Sequence, residues 1–191
     1  MKANPWSEIT GFRSAKFGMN EKSVYRAIAK DFKIAKSKVK KTTHPSEETT
    51  TLQIKVPDLF SIGGTALVGY ILGHKSKDLM HVNVVWGQGA AEKVDGKSVL
   101  RTANTLRSHF LKKRYKKDKL AVNGKLSDTQ TMVFRGKDQK NKMVTLILNT
   151  PGKQEEETLE DAINKISLVL SYIVDPENPD ILSVHVKEGE F

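Results

Sequence analysis

Five histidines, at positions 44, 74, 81, 109 and 185, are the residues best suited to acid–base or metal chemistry, and their spacing suits neither. None falls in an H-x-x-x-H or H-E-x-x-H pattern, which would put two imidazoles on one helix face around a metal. His81 alternates with apolar neighbours, so a structural role inside a strand is expected for it. Serines are scattered without the strand–elbow–helix context that exposes a nucleophile. The carboxylates at 155–157 and 160–161 cluster in a loop, where they read as solvation. These patterns give catalysis no support, and the expectation is a non-enzymatic protein without a cofactor or metal.

Two stretches could hold phosphate. Gly87-Gln88-Gly89-Ala90-Ala91-Glu92 stands between a predicted strand and a predicted helix, the setting of a dinucleotide fingerprint. Glu92, however, occupies the third glycine position and puts a carboxylate where pyrophosphate would lie. The surrounding strands also read as an antiparallel meander, so a plain connecting loop is expected. Gly63-Gly64-Thr65 is a strand-entry turn with no P-loop around it. The run Lys112-Lys113-Arg114-Tyr115-Lys116-Lys117-Asp118-Lys119 is the sharpest basic feature. Lys112, Lys113, Arg114, Lys116 and Lys117 are therefore the candidate polyanion-binding residues, with salt-sensitive binding to follow. Tyr115 also reads as the end of a helix's apolar stripe, and cations near a helix C-terminus favour its dipole without any ligand. No aromatic RNA-binding motif or zinc finger accompanies the run.

Composition sets the frame for these residues. A chain of 191 residues with 38% hydrophobic and 28% charged residues is globular, with room for one substantial core or two small ones. The absence of cysteine excludes disulfides, thiolate metal sites and cysteine nucleophiles. No run approaches the ~20 apolar residues of a membrane helix, and no integral membrane segment is expected. The net charge of +10 is uneven. Residues 1–46 hold 11 Lys/Arg against 3 Asp/Glu, and residues 101–125 hold 9 against 1. From 153 onward the balance reverses to 3 against 10. Such a chain either neutralises itself in part or presents one basic face to an anionic partner.

The elements that would position these groups begin with GFRSAKFGMNEKSVYRAIAKDF, residues 11–32. Asn20 is a good N-cap, Met19 and Val24 sit at staple positions, and Val24, Ala27, Ile28 and Phe32 form an apolar stripe. Residues 1–10 are expected to be a loose lead-in, with Trp6 tucked onto the body. Residues 33–43 should end the helix and enter an exposed strand. Thr49–Val56 alternates as a half-buried strand, and Thr65–Gly73 and Leu79–Trp86 flank a polar loop as a hairpin. In the latter, Met80, Val82, Val84 and Trp86 make the core-facing set. A second helix is predicted from Gly96 to about Tyr115, capped by Asp95. Its start, Lys97-Ser98-Val99-Leu100-Arg101, repeats Lys22-Ser23-Val24-Tyr25-Arg26 in four of five letters, which suggests a duplication. Leu120–Val122, Thr131–Arg135 and Met143–Leu148 are further strands, and Thr158–Lys165 a short helix. Ile166–Val174 is read as a strand, with a helix as the alternative. The expected organisation is a lead-in over 1–10, a first helix-plus-sheet unit over 11–89, a second over 90–175 and an extended tail over 176–191. The fold class is α+β, two tandem helix-plus-antiparallel-sheet units forming one compact domain.

The stretch over residues 11–32, the hairpin YILGHKSKDLMHVNVVWG, the helix end HFLKKRY and the closing SYIVDPENPD resemble a family of uncharacterised proteobacterial secreted or periplasmic proteins. Phe17-Gly18-Met19 with Val24 at a helix start is also similar to the small outer-membrane-assembly lipoproteins (SmpA/OmlA-like). The tandem layout is similar, at the level of fold, to the repeats of β-lactamase inhibitor proteins. The chain lacks the cysteine by which the lipoproteins are acylated. These resemblances imply a periplasmic location with a leader removed ahead of Asn4, the cytoplasm being the alternative. They imply a binding or envelope-assembly role, with another envelope protein as partner. The open sheet face and the hairpin loops Gly73–Asp78 and Gly136–Lys142 would be the working surface.

Overall fold

The computed structural model describes residues 4–61, 63–152 and 158–183. A small hairpin, β1 (Gly11–Phe12) and β2 (Ala15–Lys16), leads into helix α1 (Glu21–Phe32). Four strands follow: β3 (Lys40–Thr43), β4 (Thr50–Val56), β5 (Ala66–Leu72) and β6 (Leu79–Gly87). Helix α2 (Gly96–Phe110) precedes β7 (Ala121–Ser127), β8 (Gln130–Lys137) and β9 (Met143–Asn149). A single-turn helix α3 (Leu159–Ile163) then delivers the chain to β10 (Ser167–Ile173). The eight strands β3 to β10 form one antiparallel sheet in the order β3-β4-β5-β6-β10-β9-β8-β7. Read inward from each edge, that order is four consecutive strands, and the two sets meet at the β6–β10 pair.

Local chemistry explains these elements. Asn20 Oδ1 accepts the Ser23 N–H at 3.0 Å, which removes one orphan donor from the first turn of α1. Asp95 caps α2 more completely. Its Oδ1 accepts from the N–H groups of Lys97 and Ser98 at 3.1 and 3.2 Å, and its Oδ2 from the Ser98 hydroxyl at 2.6 Å. Thr158 and Asp161 form a reciprocal capping box at α3. Period-two alternation sorts the sheet residues. Leu52, Ile54, Val68, Tyr70, Val82, Val84, Trp86, Leu146, Leu168 and Leu170 are buried in one core with Val24 and Ile28 of α1 and Val99, Leu106 and Phe110 of α2. The core thus sits between one face of the sheet and the two long helices. β10 is a strand, as its alternation suggested. No helix among the described residues is long and apolar enough to cross a membrane.

Two expectations need correction. Helix α2 stops at Phe110, not near Tyr115. The N-terminal segment takes over the backbone there: Arg114 donates to the Pro5 carbonyl and Ser7 donates to the Arg114 carbonyl, both at 2.9 Å. Tyr115 still packs inward, its ring 5.1 Å from that of Phe134. Residues 5–10 are correspondingly docked and not loose. Ile9 is buried, and its N–H donates to Oδ2 of the buried Asp138 at 3.0 Å. The loop after β8 is closed by the same carboxylate, whose Oδ1 accepts from the N–H groups of Lys140 and Lys142 at 2.8 and 3.0 Å. The loop after β5 is closed from the tail, where Asp180 accepts from the N–H groups of Lys75 and Ser76. Both loops thus hold a carboxylate of this chain at their base, while residues 75–77 and 139–141 at their tips are exposed, as expected. Residues 184–191, including His185, and the acids at 155–157 lie outside the described residues.

Candidate functional site

The face of the sheet turned away from α1 and α2 is built by the residues that alternate with the core set, among which Thr145 and Ser171 are buried. Register pairing lines up Leu67 of β5, Val85 of β6, Val169 of β10 and Ile147 of β9 in one transverse row. At ~4.8 Å between neighbouring strands, those four side chains span roughly 14 Å. A polar row lies beside it, Gln53–Gly69–Asn83–Ser171–Thr145–Arg135, in which the Ser171 hydroxyl donates to Asn83 Oδ1 at 2.6 Å. The next row returns to Ile71, His81, Ile173 and Met143. The apolar members of these rows are half-buried, and α1 and α2 pack on the other side. An antiparallel sheet with one face in water usually alternates apolar-in with polar-out. This one keeps an apolar stripe outside.

His81 stands in the third row, beside a hollow of about 310 Å³ that Asp175, Asn178 and Asp180 also line. Burial holds its imidazole below the ordinary pKa, against the raising effect of Asn83, and its Nε2 has no partner among the described residues. The other described histidines are elsewhere. His44 Nδ1 accepts from the Glu47 N–H, His74 lies 3.2 Å from Glu48, and His109 is exposed on α2. No group of three or more His, Asp or Glu able to hold a metal occurs among the described residues. Gly87-Gln88-Gly89 is the turn leaving β6, in an antiparallel sheet. Gly87 has φ +84°, and a Cβ there would stand 2.3 Å from the Ile166 carbonyl oxygen, so close backbone approach accounts for this glycine.

The basic run lies beyond the end of α2 and divides in two. Arg114 lays its guanidinium 4.6 Å from the Trp6 ring centroid, and Lys116 donates to Asn141 Oδ1 at 2.6 Å. Both are engaged in holding segments of this chain together. Lys112, Lys113 and Lys117 are exposed and have no ion-pair partner among the described residues.

On the helix side, a cleft of about 420 Å³ opens between the β1–β2 hairpin and α2. Phe12, Phe60, Leu106, Phe110 and Tyr172 supply apolar walls, and Arg13, Thr105 and His109 its polar groups. The Arg13 guanidinium lies 4.8 Å from the Phe32 ring centroid and 5.8 Å from those of Phe12 and Phe60. No carboxylate among the described residues forms an ion pair with it, and the nearby Asp31 is engaged by the Ser14 N–H at 2.9 Å. Phe60 stands in the left-handed backbone region at φ +65°, a conformation that costs a bulky residue about 1–2 kcal/mol. Its ring is more than one-third exposed. Burial pushes the Tyr172 phenol well above its ordinary pKa, so it stays protonated and able to donate. No spacing signal announces this cluster: its five aromatic rings come from positions 12, 32, 60, 110 and 172, brought together only by the fold. No protein-family model matches the chain, nor does any curated protein or solved structure.

Proposed function

We propose that this chain is a non-enzymatic binding module whose working surface is the open face of the sheet. The observation that carries the reading is the row Leu67–Val85–Val169–Ile147, apolar across four central strands and covered by no helix among the described residues. A protein partner that buries such a row gains the same transfer free energy that drives core formation. In this reading the chain consists of two tandem helix-plus-antiparallel-sheet units. The inward-symmetric strand order, the paired caps Asn20 and Asp95, and the shared letters after them support it. The periplasmic location and an envelope protein as partner rest on the sequence resemblances alone. The test compares wild type with Val85→Glu and Val169→Glu in pull-downs from envelope extracts. A partner recovered by wild type and lost with both folded variants is expected. Recovery unchanged by the two charges would remove the sheet face from the reading.

A second reading, binding of nucleic acid or a cell-envelope polyanion, is favoured by the exposed cations Lys112, Lys113 and Lys117, which have no ion-pair partner among the described residues. Heparin elution at distinctly lower salt after their replacement by Gln is its expected signature, since each lost phosphate or sulfate contact lowers the salt slope. Unchanged elution would end it.

A further inference from the structure

We propose that the helix-side cleft binds a single straight-chain carboxylate, with its head on Arg13 and its acyl tail between α2 and the β1–β2 hairpin. The site lies across the sheet from the open face and stands or falls apart from the function proposed above.

Three features converge on that ligand. The walls are apolar and aromatic over a volume typical of small-molecule sites. The one fully charged side chain lining the cleft is cationic, and no acid contributes to the lining. Arg13 is held in place by three aromatic rings and has no carboxylate partner among the described residues, so its fork of N–H donors remains unmatched. A planar guanidinium on aromatic rings pairs bidentately with a carboxylate, which fixes the head group's orientation as well as its charge. Thr105 and His109 on α2 line the same cleft and can hydrogen-bond a head group or its water. A cationic amphiphile would meet Arg13 with like charge, and a neutral one would leave it unpaired.

Isothermal titration calorimetry of the full chain with decanoate, below its micelle concentration, tests the assignment. Saturable one-to-one binding is expected, about tenfold tighter for decanoate than for octanoate because two more methylenes are buried. Decanol should bind at least about tenfold more weakly than decanoate, the factor a charge-assisted pair supplies, and decyltrimethylammonium should not bind. Arg13→Gln, at an exposed position, should bring decanoate down to the level of decanol while leaving decanol itself unaffected. Thr105→Trp, at the exposed rim, should weaken both. Circular dichroism establishes that each variant is folded. Equal affinity for decanoate and decanol, decanoate binding unaffected by Arg13→Gln, or no saturable heat at all would overturn the proposal.

Discussion

Replacing Asp138 with Ala probes how the N-terminal segment is held and what that segment supports. The Asp138 carboxylate is 2% exposed and accepts three backbone N–H groups, from Ile9 at 3.0 Å and from Lys140 and Lys142 at 2.8 and 3.0 Å. Alanine leaves the Ile9 N–H without a partner in a buried setting, a loss of about 1–3 kcal/mol. The two loop amides are only partly buried and can turn to water, so they add about 0.5 kcal/mol each. The expected destabilisation is therefore about 3 kcal/mol, or about 6–12 °C in Tm for a chain of this size. Asp138→Asn separates the two halves of the clamp. Its remaining carbonyl oxygen can stay on Lys140 and Lys142, but its NH2 then faces the Ile9 N–H, donor against donor. That variant should lose about 1–2 kcal/mol, with deprotection confined to the N-terminal segment. Urea unfolding gives the free energies, and amide hydrogen exchange at Ile9 gives the location. A loss below about 1 kcal/mol for Asp138→Ala, with the Ile9 amide still protected, would refute the idea that this carboxylate anchors residues 5–10.

Two further outcomes follow from the same geometry. Gly87→Ala combines a left-handed backbone with a 2.3 Å approach to the Ile166 carbonyl and should cost at least about 2 kcal/mol. Gly18→Ala, at φ +82° with open space around it, should cost only about 1 kcal/mol; equal losses in urea unfolding would show that close packing at Gly87 matters less than its φ. The carboxyls of Asp95, Asp161 and Glu177 are held below their ordinary range, the first two by Ser98 and Thr158 hydrogen bonds and the third by Lys137. For Asp180, burial acts upward and is outweighed by hydrogen bonds from Ser76 and Lys75, so its net shift is also downward. A depressed folded-state pKa gives stability that is present above the unfolded value and lost as pH falls through the folded one. The urea midpoint should thus hold from neutrality to about pH 5 and fall below about pH 4; a midpoint unchanged at pH 3 would contradict these shifts.

Most strands and both long helices were legible because their signals are local. A cap at Asn20 and a stripe at Val24, Ala27 and Ile28 sit within ten residues, and β4 declares itself by alternation between Leu52 and Val56. From His81 onward the outer set of β6, His81, Asn83 and Val85, was separable from Val82, Val84 and Trp86 on the same ground. At the start of the strand Leu79 is buried and Met80 is not, the reverse of the expected alternation, where the β5–β6 register shifts. What stayed hidden depends on partners far away in sequence. Past the end of α2 the backbone of Arg114 pairs with Pro5 and Ser7, more than a hundred residues earlier, in place of a further helical turn. That the loops after β5 and β8 are braced by Asp180 from the tail and by Asp138 from within was hidden, since isolated aspartates carry no pattern that marks them as clamps. The basic run was visible as a run, but its division was not. Whether a cation is free or spent on Trp6 or Asn141 is a property of the fold.

The architecture also explains why the two proposed sites differ in kind. A sheet eight strands wide offers more inner surface than two helices of 12 and 15 residues can cover without a gap. Phe12, Phe60 and Tyr172 line part of that gap, and the aromatic surface left in it forms a half-open cleft with Arg13 at its edge. Such a place suits one small molecule with a defined head group. On the opposite face the Leu67–Val85–Val169–Ile147 row is broad and shallow, and its neighbours are the hydrogen-bonded Asn83 and Ser171. Only a partner with a matching flat surface can exclude water from it. β10 belongs to both, since Tyr172 lines the cleft while Val169 and Ile173 stand on the open face. A ligand that moved Tyr172 would therefore act on the same strand that carries the centre of the docking row, and the β6–β10 pair is where any coupling between the two surfaces would have to pass.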